Sequence, residues 1–533
     1  MAGNKIISDD FGLSFEVKQD EIEITGLDCI ETNSRAVAKI ASILQTSLGP
    51  NGMDKIILDS DNKITMTNDG ATIVAEYVAN NAGCVMELIK QLSSSQDNEI
   101  GDGTTSIIIF ANSLMKEALS LLKQGIHPIK ITEGFNEALN YAIGEIQGNF
   151  ADNIEDKPSF CLKAVETCLN SKIASFYKNL PKVCVDAVYS VADMERRDVD
   201  LDKINVKILK GGSMNQTELI NGVLLEKEIV GEIAEGQKMK IALLACPFEP
   251  PKLKNKNKML VSSVGDYKKL SNYEQTAFYE MIQKVKNSGA DLVLCQWGFD
   301  DEATSMLMEN KLPAVRWVGG HELGHIAALI NAQIVSRFEN LDSSCLGEGF
   351  VEITNEGTEN EVFIKVTAEK NTISTIAIKS SNKFVSEEIE RSIKDSLCAA
   401  RNVLIADKIV YGGGSLEMNL YKTITNVDGD NNHITNLLEA EELCCFKAFA
   451  TALLEIPFSL SRNAGHNSNY VENVISTKTS GVSHYGVAAF DGKLLADMKA
   501  EGVFESLESK TRQLKMATDF VNTILKISDV IKK

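Results

Sequence analysis

Gly101-Asp102-Gly103-Thr104-Thr105 lies between a polar turn and the apolar run Ile107 to Leu122. Two glycines let a backbone approach a ligand closely, the hydroxyls of Thr104 and Thr105 can donate to it, and the open N–H groups of a helix start favour an anion. Asp102 does not suit a purely anion-binding loop. A carboxylate beside a phosphate is repelled unless a cation lies between them, and Mg2+ takes one or two carboxylates together with waters and phosphate oxygens. The pattern predicts a metal–nucleotide site with Asp102 as metal ligand; an ordinary helix start with Asp and Thr caps would use the same residue types.

Two further acids extend this reading. Asp69 sits in the sharp turn Asn68-Asp69-Gly70, and Asp395 in a helical stretch Ser386 to Ala400. If the chain ends meet, Asp69, Asp102 and Asp395 converge on one phosphate–metal centre, one holding Mg2+ and the others orienting or deprotonating an attacking water. The plainer alternative makes Asp69 a turn cap and leaves Asp395 facing solvent.

A competing signal is His321-Glu322-Leu323-Gly324-His325, which fits the H-E-x-x-H pattern of zinc metalloproteases, with Glu339, Glu348 or Glu352 as a third ligand. Gly319-Gly320 puts His321 at the very start of its helix, and Ala328 stands where the longer form of the motif has glycine. A nucleotide-binding scaffold without hydrolysis is a third function class. His127, Trp297 and Trp317 read as turn and packing residues.

The elements that must position these residues follow from hydrophobic period. Val37, Ile40, Ala41 and Leu44 predict a helix over Ser34 to Thr46, stopped by Ser47-Leu48-Gly49-Pro50-Asn51-Gly52. Lys55 to Leu58 and Lys63 to Thr67 read as a hairpin, and helices follow over Cys84 to Leu92, Thr105 to Lys123 and Ile129 to Ile146. From about 214, apolar runs Ala242 to Cys246, Asp291 to Cys295 and Ala314 to Val318 alternate with helices as in an α/β unit. Beyond Ser386 helices return, with Gly412-Gly413-Gly414 opening one of them. The economical topology is a multidomain α/β chain whose mainly helical ends form one domain and carry the middle as an insertion.

A chain of 533 residues suits several domains, and its 24% charged and 44% hydrophobic residues are those of a soluble globular protein. The balance of 54 basic against 74 acidic residues, net -20, argues against nucleic acid as a main partner, and the Lys252 to Lys258 stretch reads as a solvated loop. Eleven cysteines with no C-x-x-C spacing suit a reducing, cytoplasmic setting. No export-type apolar stretch opens the chain, and no segment is read as an apolar run of about 18 residues, so no membrane partner is expected.

Leu48-Gly49-Pro50-Asn51-Gly52-Met53-Asp54-Lys55, Thr67-Asn68-Asp69-Gly70-Ala71-Thr72, Gly101-Asp102-Gly103-Thr104-Thr105 and Gly412-Gly413-Gly414 occur in the order and spacing of the group II chaperonins. The chain resembles that family over nearly its whole length. It is similar to the eukaryotic cytosolic branch through Ser95-Gln96-Asp97-Asn98-Glu99-Ile100, Ala245-Cys246-Pro247-Phe248-Glu249-Pro250-Pro251, Gln296-Trp297-Gly298-Phe299-Asp300-Asp301-Glu302-Ala303 and Leu312-Pro313-Ala314-Val315-Arg316-Trp317-Val318-Gly319-Gly320.

The resemblance implies an ATP-driven folding machine of two stacked rings, in which this subunit has seven paralogous partners and unfolded clients such as actin and tubulin. It implies an equatorial ATP-binding domain at 1–145 and 402–533, an intermediate hinge domain at 146–213 and 370–401, and an apical substrate-binding domain at 214–369 whose stretch Lys252 to Lys286 is a built-in helical lid. By the same resemblance Asp102 binds Mg2+, and Asp69 and Asp395 handle the attacking water. Leu48, Gly49 and Pro50 line the pocket. Gly101, Gly103, Thr104, Thr105, Gly412, Gly413 and Gly414 contact ATP, and Glu505 lies near the ribose. Edge strands Phe11 to Val17 and Thr523 to Ile531 are expected to pair with a neighbour's Lys55 to Thr67 hairpin, which predicts poor behaviour as a monomer. Departures from the family pattern are Gln45 for Arg, Lys379-Ser380-Ser381 for Arg-Gly-Gly, Ser506 for Pro, and the loss of an Asn-Pro-Ile continuation within Asn463 to Tyr470.

Overall fold

The computed structural model describes residues 6–8, 14–16, 23–58, 62–81, 83–154, 156–233, 236–249, 261, 263–354, 362–406, 408–425, 440–466, 484–489 and 495–531. The expected loop Lys252 to Lys258, the first part of the expected lid and the Asn467 to Tyr470 end of the departing segment lie outside them. The chain is a multidomain α/β protein of two compact units, one formed by 1–172 with 406–533 and the other by 173–405.

The first unit is built around the helix Thr104–Lys123, which is apolar on nearly every face because it is surrounded. It packs against helices Gly26–Gln45, Ala440–Leu453 and Leu507–Leu525, and the Phe110 ring meets Phe449 edge-on at 5.7 Å. The Thr104–Lys123 helix and the stretch Ala440–Asn463 are long and apolar enough, by length and composition, to cross a membrane. This corrects the reading that no segment reaches that length, and most of both stretches is buried in the protein's own core.

Two helices are longer than their apolar pattern. Gly26–Gln45 begins eight residues before the expected Ser34, since the polar residues Asn33 and Ser34 are buried on its core stripe. Cys84–Glu99 runs seven residues past Leu92 because Ser93 and Gln96 continue its buried face. Thr523 to Leu525 is the end of the helix Leu507–Leu525 instead of strand, and only Asp529–Ile531 is extended, paired antiparallel with Glu23–Thr25. Of the expected edge strand Phe11 to Val17, the described part Ser14–Glu16 pairs with Ile6–Ser8.

The second unit holds an eight-stranded sheet and a smaller one of three strands. Strands Lys238–Leu244, Leu292–Cys295 and Ala314–Val315 are parallel neighbours. Ala242, Leu244, Val293 and Cys295 pack under Phe278, Ile282 and Leu307. Their alternates Ile241, Leu243, Leu292 and Leu294 pack under Leu323, Ile326 and Leu329. Burial on both faces is why these strands read as unbroken apolar runs. The expected strand to Val318 ends at Val315, because Trp317 takes a left-handed φ of 58°. In the smaller sheet, Ser374–Ser380 lies between Ile204–Lys210 and Glu218–Asn221.

Candidate nucleotide site

Gly101 and Gly103 both adopt left-handed φ, 72° and 76°, so the loop turns sharply into the Thr104–Lys123 helix. Among the described residues no side chain caps that helix start, which leaves the amides of its first turn to an external acceptor. Asp102 Oδ1 accepts from the Gly103 amide at 2.7 Å, a single donor among the described residues on a group with about four acceptor positions. Gln96 Nε2 donates to the Asp102 carbonyl at 2.7 Å and fixes the loop from below. An uncapped helix start beside a hard oxygen ligand fits a magnesium-bound phosphate chain.

Asp69 is the N-cap of the helix Gly70–Asn80. Its Oδ1 accepts from the Ala71 amide at 3.2 Å and the Thr104 hydroxyl at 3.3 Å, and its Oδ2 from the Thr72 amide at 2.9 Å and hydroxyl at 2.7 Å. The carboxylate therefore clasps two helix starts together. The Thr104 hydroxyl, expected to serve a ligand, is buried and spent on Asp69. Gly70 is required by the same approach: a Cβ there would lie 2.6 Å from Thr105 Oγ1 and 2.8 Å from the Thr105 amide nitrogen. Burial raises the Asp69 carboxyl, but nearby Lys172 and the donors Thr72 and Ala71 outweigh it and hold it below the usual range.

Gly49 and Gly414 meet at one helix, Glu455–Asn463. A Cβ on Gly414 would strike Pro457 at 2.8 Å, and one on Gly49 would strike Leu460 at 2.5 Å. One turn further, Asn463 Nδ2 donates to the Gln45 and Leu48 carbonyls at 2.8 Å each. The Leu48-Gly49-Pro50 turn and the last of the three glycines are thus set by residues three apart on a single helix face. Gly413 and Gly414 have φ of 65° and 75°, and a Cβ on Gly412 would meet Glu505 Oε1 at 2.9 Å. Burial pushes the Glu505 carboxyl up; Lys510 opposes that, while Glu417 and Asp102 add to it.

Sequence reasoning assigned no role to several residues that shape this region. Lys172 lies near Asp69, and Ser171 accepts from Asn68 at 2.9 Å, 103 positions away in the chain. Ser509 and Gln513 approach Gly103, and Lys510 joins Glu505 at 2.9 Å. Only Lys510 had a readable signal, since it falls in the first turns of a helix entered directly from Glu505.

The departures are accommodated locally. Gln45 donates to Glu455, which also pairs with Arg462. Ser506 caps the helix Leu507–Leu525 by accepting from the Ser509 amide at 3.1 Å. Lys379 pairs with Glu218 at 3.0 Å, and Ser380 accepts from the Asn382 amide.

Asp395 belongs to the second unit, half-buried on the helix Lys383–Ile405. The H-E-x-x-H motif is also in that unit, and its geometry is unsuited to zinc hydrolysis. The helix Gly320–Ile330 begins one residue before His321. Glu322 is engaged twice, by Lys207 at 2.7 Å and by the Gly319 amide at 3.1 Å. His325 Nδ1 is bonded to Asn205 at 2.9 Å. Glu339, Glu348 and Glu352 pair with Lys284, Lys238 and Lys365, and among the described residues no three His, Cys, Asp or Glu side chains form a metal cage.

Comparison with known proteins agrees with the sequence resemblance. Residues 40–533 match the model of the TCP-1/cpn60 chaperonin family. The chain is 44% identical over 540 residues to the T-complex protein 1 subunit epsilon of Encephalitozoon cuniculi, covering 99% of this chain and 98% of that one. It is 32% identical to thermosome subunits alpha of Saccharolobus solfataricus and Archaeoglobus fulgidus, each across 97% of this chain and 93% and 94% of theirs.

Proposed function

The chain belongs to the TCP-1/cpn60 chaperonin family and is an ATP-hydrolysing chaperonin subunit, and from that premise we propose which residues do the work. The observation that carries the proposal is the uncapped helix start behind Gly101-Asp102-Gly103, clasped through Thr104 to Asp69. The amides of Thr104 and Thr105 take the phosphates, and the triple glycine lets the nucleotide approach the backbone of Gly412 to Gly414. Glu505 receives the ribose, and the Leu48-Gly49-Pro50 turn closes the pocket. Asp102 is the residue that would hold Mg2+, whose chemistry there is to neutralise charge on the phosphate oxygens.

Asp69 works chiefly through geometry. Four donors occupy its two oxygens, and its lowered proton affinity suits an ionised acceptor that orients groups at the helix starts better than a base. Asp395 is then the carboxylate that, as general base, accepts the water's proton. Because it stands in the unit that also carries the α/β sheet, movement of that unit would couple hydrolysis to conformational change.

The equatorial, intermediate and apical divisions given by the resemblance, a double ring with seven paralogous chains, actin- and tubulin-like clients and a cytoplasmic location complete the reading. In an assembled ring, Asp395→Ala is expected to keep ATP binding while phosphate release at this subunit falls by about two orders of magnitude or more; lost binding with unchanged turnover per bound nucleotide would refute the assignment.

A further inference from the structure

We propose that Lys510 is a positioning residue for the nucleotide site, fixing Glu505 and the first turn of the helix Ser415–Thr425 as one wall; this rests on Glu505 belonging to that site. Lys510 Nζ lies 2.8 Å from Glu417 Oε1 and 2.9 Å from Glu505 Oε2. The Lys510 and Glu417 side chains are only 6% and 3% exposed. Glu417 stands in the first turn after Gly412-Gly413-Gly414. Glu505 lies opposite Val410 in the strand that leads into those glycines, with Oε1 against Gly412. From the same helix as Lys510, Ser509 and Gln513 approach Gly103 one turn apart. The first two turns of one helix therefore reach the Gly103 loop, Glu505 and the first turn of the helix that follows the triple glycine.

Stability alone gives no reason for this arrangement. A buried charge pair such as Lys510 with Glu417 is commonly no better than apolar residues of the same volume, Glu505 beside it is only partly buried, and Glu417 Oε2 is buried without a hydrogen-bond partner among the described residues, which costs further. What the trio supplies is register. With Lys510 neutral, Glu505 would face Glu417 and Asp102 uncompensated and leave its place beside Gly412. Lys510 need not touch the nucleotide to matter for it.

The test uses the complex purified through this chain, photolabelled with 8-azido-ATP and read on this chain after subunit separation. ATP and 2′,3′-dideoxyATP, which lacks the ribose hydroxyls, serve as competitors. Lys510→Met is expected to weaken ATP competition about ten-fold and bring the two competitors within about two-fold of each other, as expected for loss of a charge-assisted contact. Lys510→Arg should keep the preference for ATP. Lys510→Met with Glu417→Gln removes the stranded buried carboxylate, so it should recover thermal stability but not the preference. An unchanged preference in Lys510→Met, or recovery of both properties in the double variant, would overturn the proposal and leave Lys510 a packing residue. Labelling of the wild-type chain that ATP cannot compete, or that Asp102→Ala leaves unaltered, would instead overturn the site itself.

Discussion

At the scale of single residues, the site depends on contacts that admit no extra atom. Gly70 packs against the backbone of Thr105, and backbone cannot swing aside as a flexible side chain can. Gly70→Ala must therefore separate the two helix starts that Asp69 clasps. It is expected to cost about 1–3 kcal/mol of stability, as overpacking does, and to lower ATP turnover at least about ten-fold through misplacement of the phosphate-binding turn. A melting curve and a phosphate-release assay check both. Asp69 adds an acid dependence. Its proton affinity is lowered in the folded chain, so its contribution to stability is present above the unfolded carboxylate value near about 4 and is lost as pH falls through the lower folded value. Asp69→Asn should flatten that part of the stability profile between neutral pH and about pH 3, measured by urea midpoints. The residues readable from sequence were those whose type is chemically pointed: Asp102 between glycines and Asp69 before one. Ser93 and Gln96 were unreadable, because on a helix of mixed polarity buried polar groups look like solvent-facing ones. Lys172 was unreadable because only the folded chain brings it near Asp69.

At the scale of elements, the pairing of the helix Gly320–Ile330 with the strand Ile204–Lys210 accounts for the H-E-x-x-H sequence. Asn205 and Lys207 are two apart on a strand and so share a face. Glu322 and His325 are three apart on a helix and share a face too, and the two pairs meet as Lys207–Glu322 and Asn205–His325. The periods of strand and helix coincide over two rungs, so a metal-like spacing serves docking. Around His325 stand His321 on its own helix and Asp200 and Asp202 before the strand. Burial, then His321, lowers its proton affinity more than Asp202 and Asp200 raise it. The docked contact is thus favoured above the free imidazole value near about 6.5 and lost as pH falls below it. Hydrogen exchange at residues 320–330, corrected for intrinsic rates, should be faster at pH 5.5 than at pH 7.5, and His325→Gln should remove the difference. An exchange rate in the His325→Gln protein that still changes with pH as in the wild type would exclude His325 as the sensor. Glu322→Gln should loosen the same helix by about 1 kcal/mol without altering any zinc content.

At the scale of the whole molecule, the doubly buried strands of the α/β unit were legible because burial on both faces leaves a continuous apolar run. The extent of the pairing at the chain ends was not, since Thr523 to Leu525 has an apolar pattern that suits either the end of a helix or an edge strand. The hairpin Lys55–Leu58 with Ile64–Thr67 is the feature with the widest consequence. It leaves Ile56 72%, Leu58 57% and Ile64 47% exposed, large apolar side chains on a two-stranded ribbon whose edges invite another chain. In a ring subunit, a neighbouring copy or paralogue would bury these side chains; in a lone chain they are an aggregation hazard. Ile56→Lys with Leu58→Lys should spare the fold, because neither position contributes to the core, while disrupting assembly. The expected result is an unchanged circular dichroism spectrum together with a shift from ring to monomer or small oligomer in sedimentation velocity at micromolar concentration. Rings formed by the double variant as readily as by the wild type, or a wild-type chain that stays a monodisperse monomer under those conditions, would show that this hairpin is not the assembly edge.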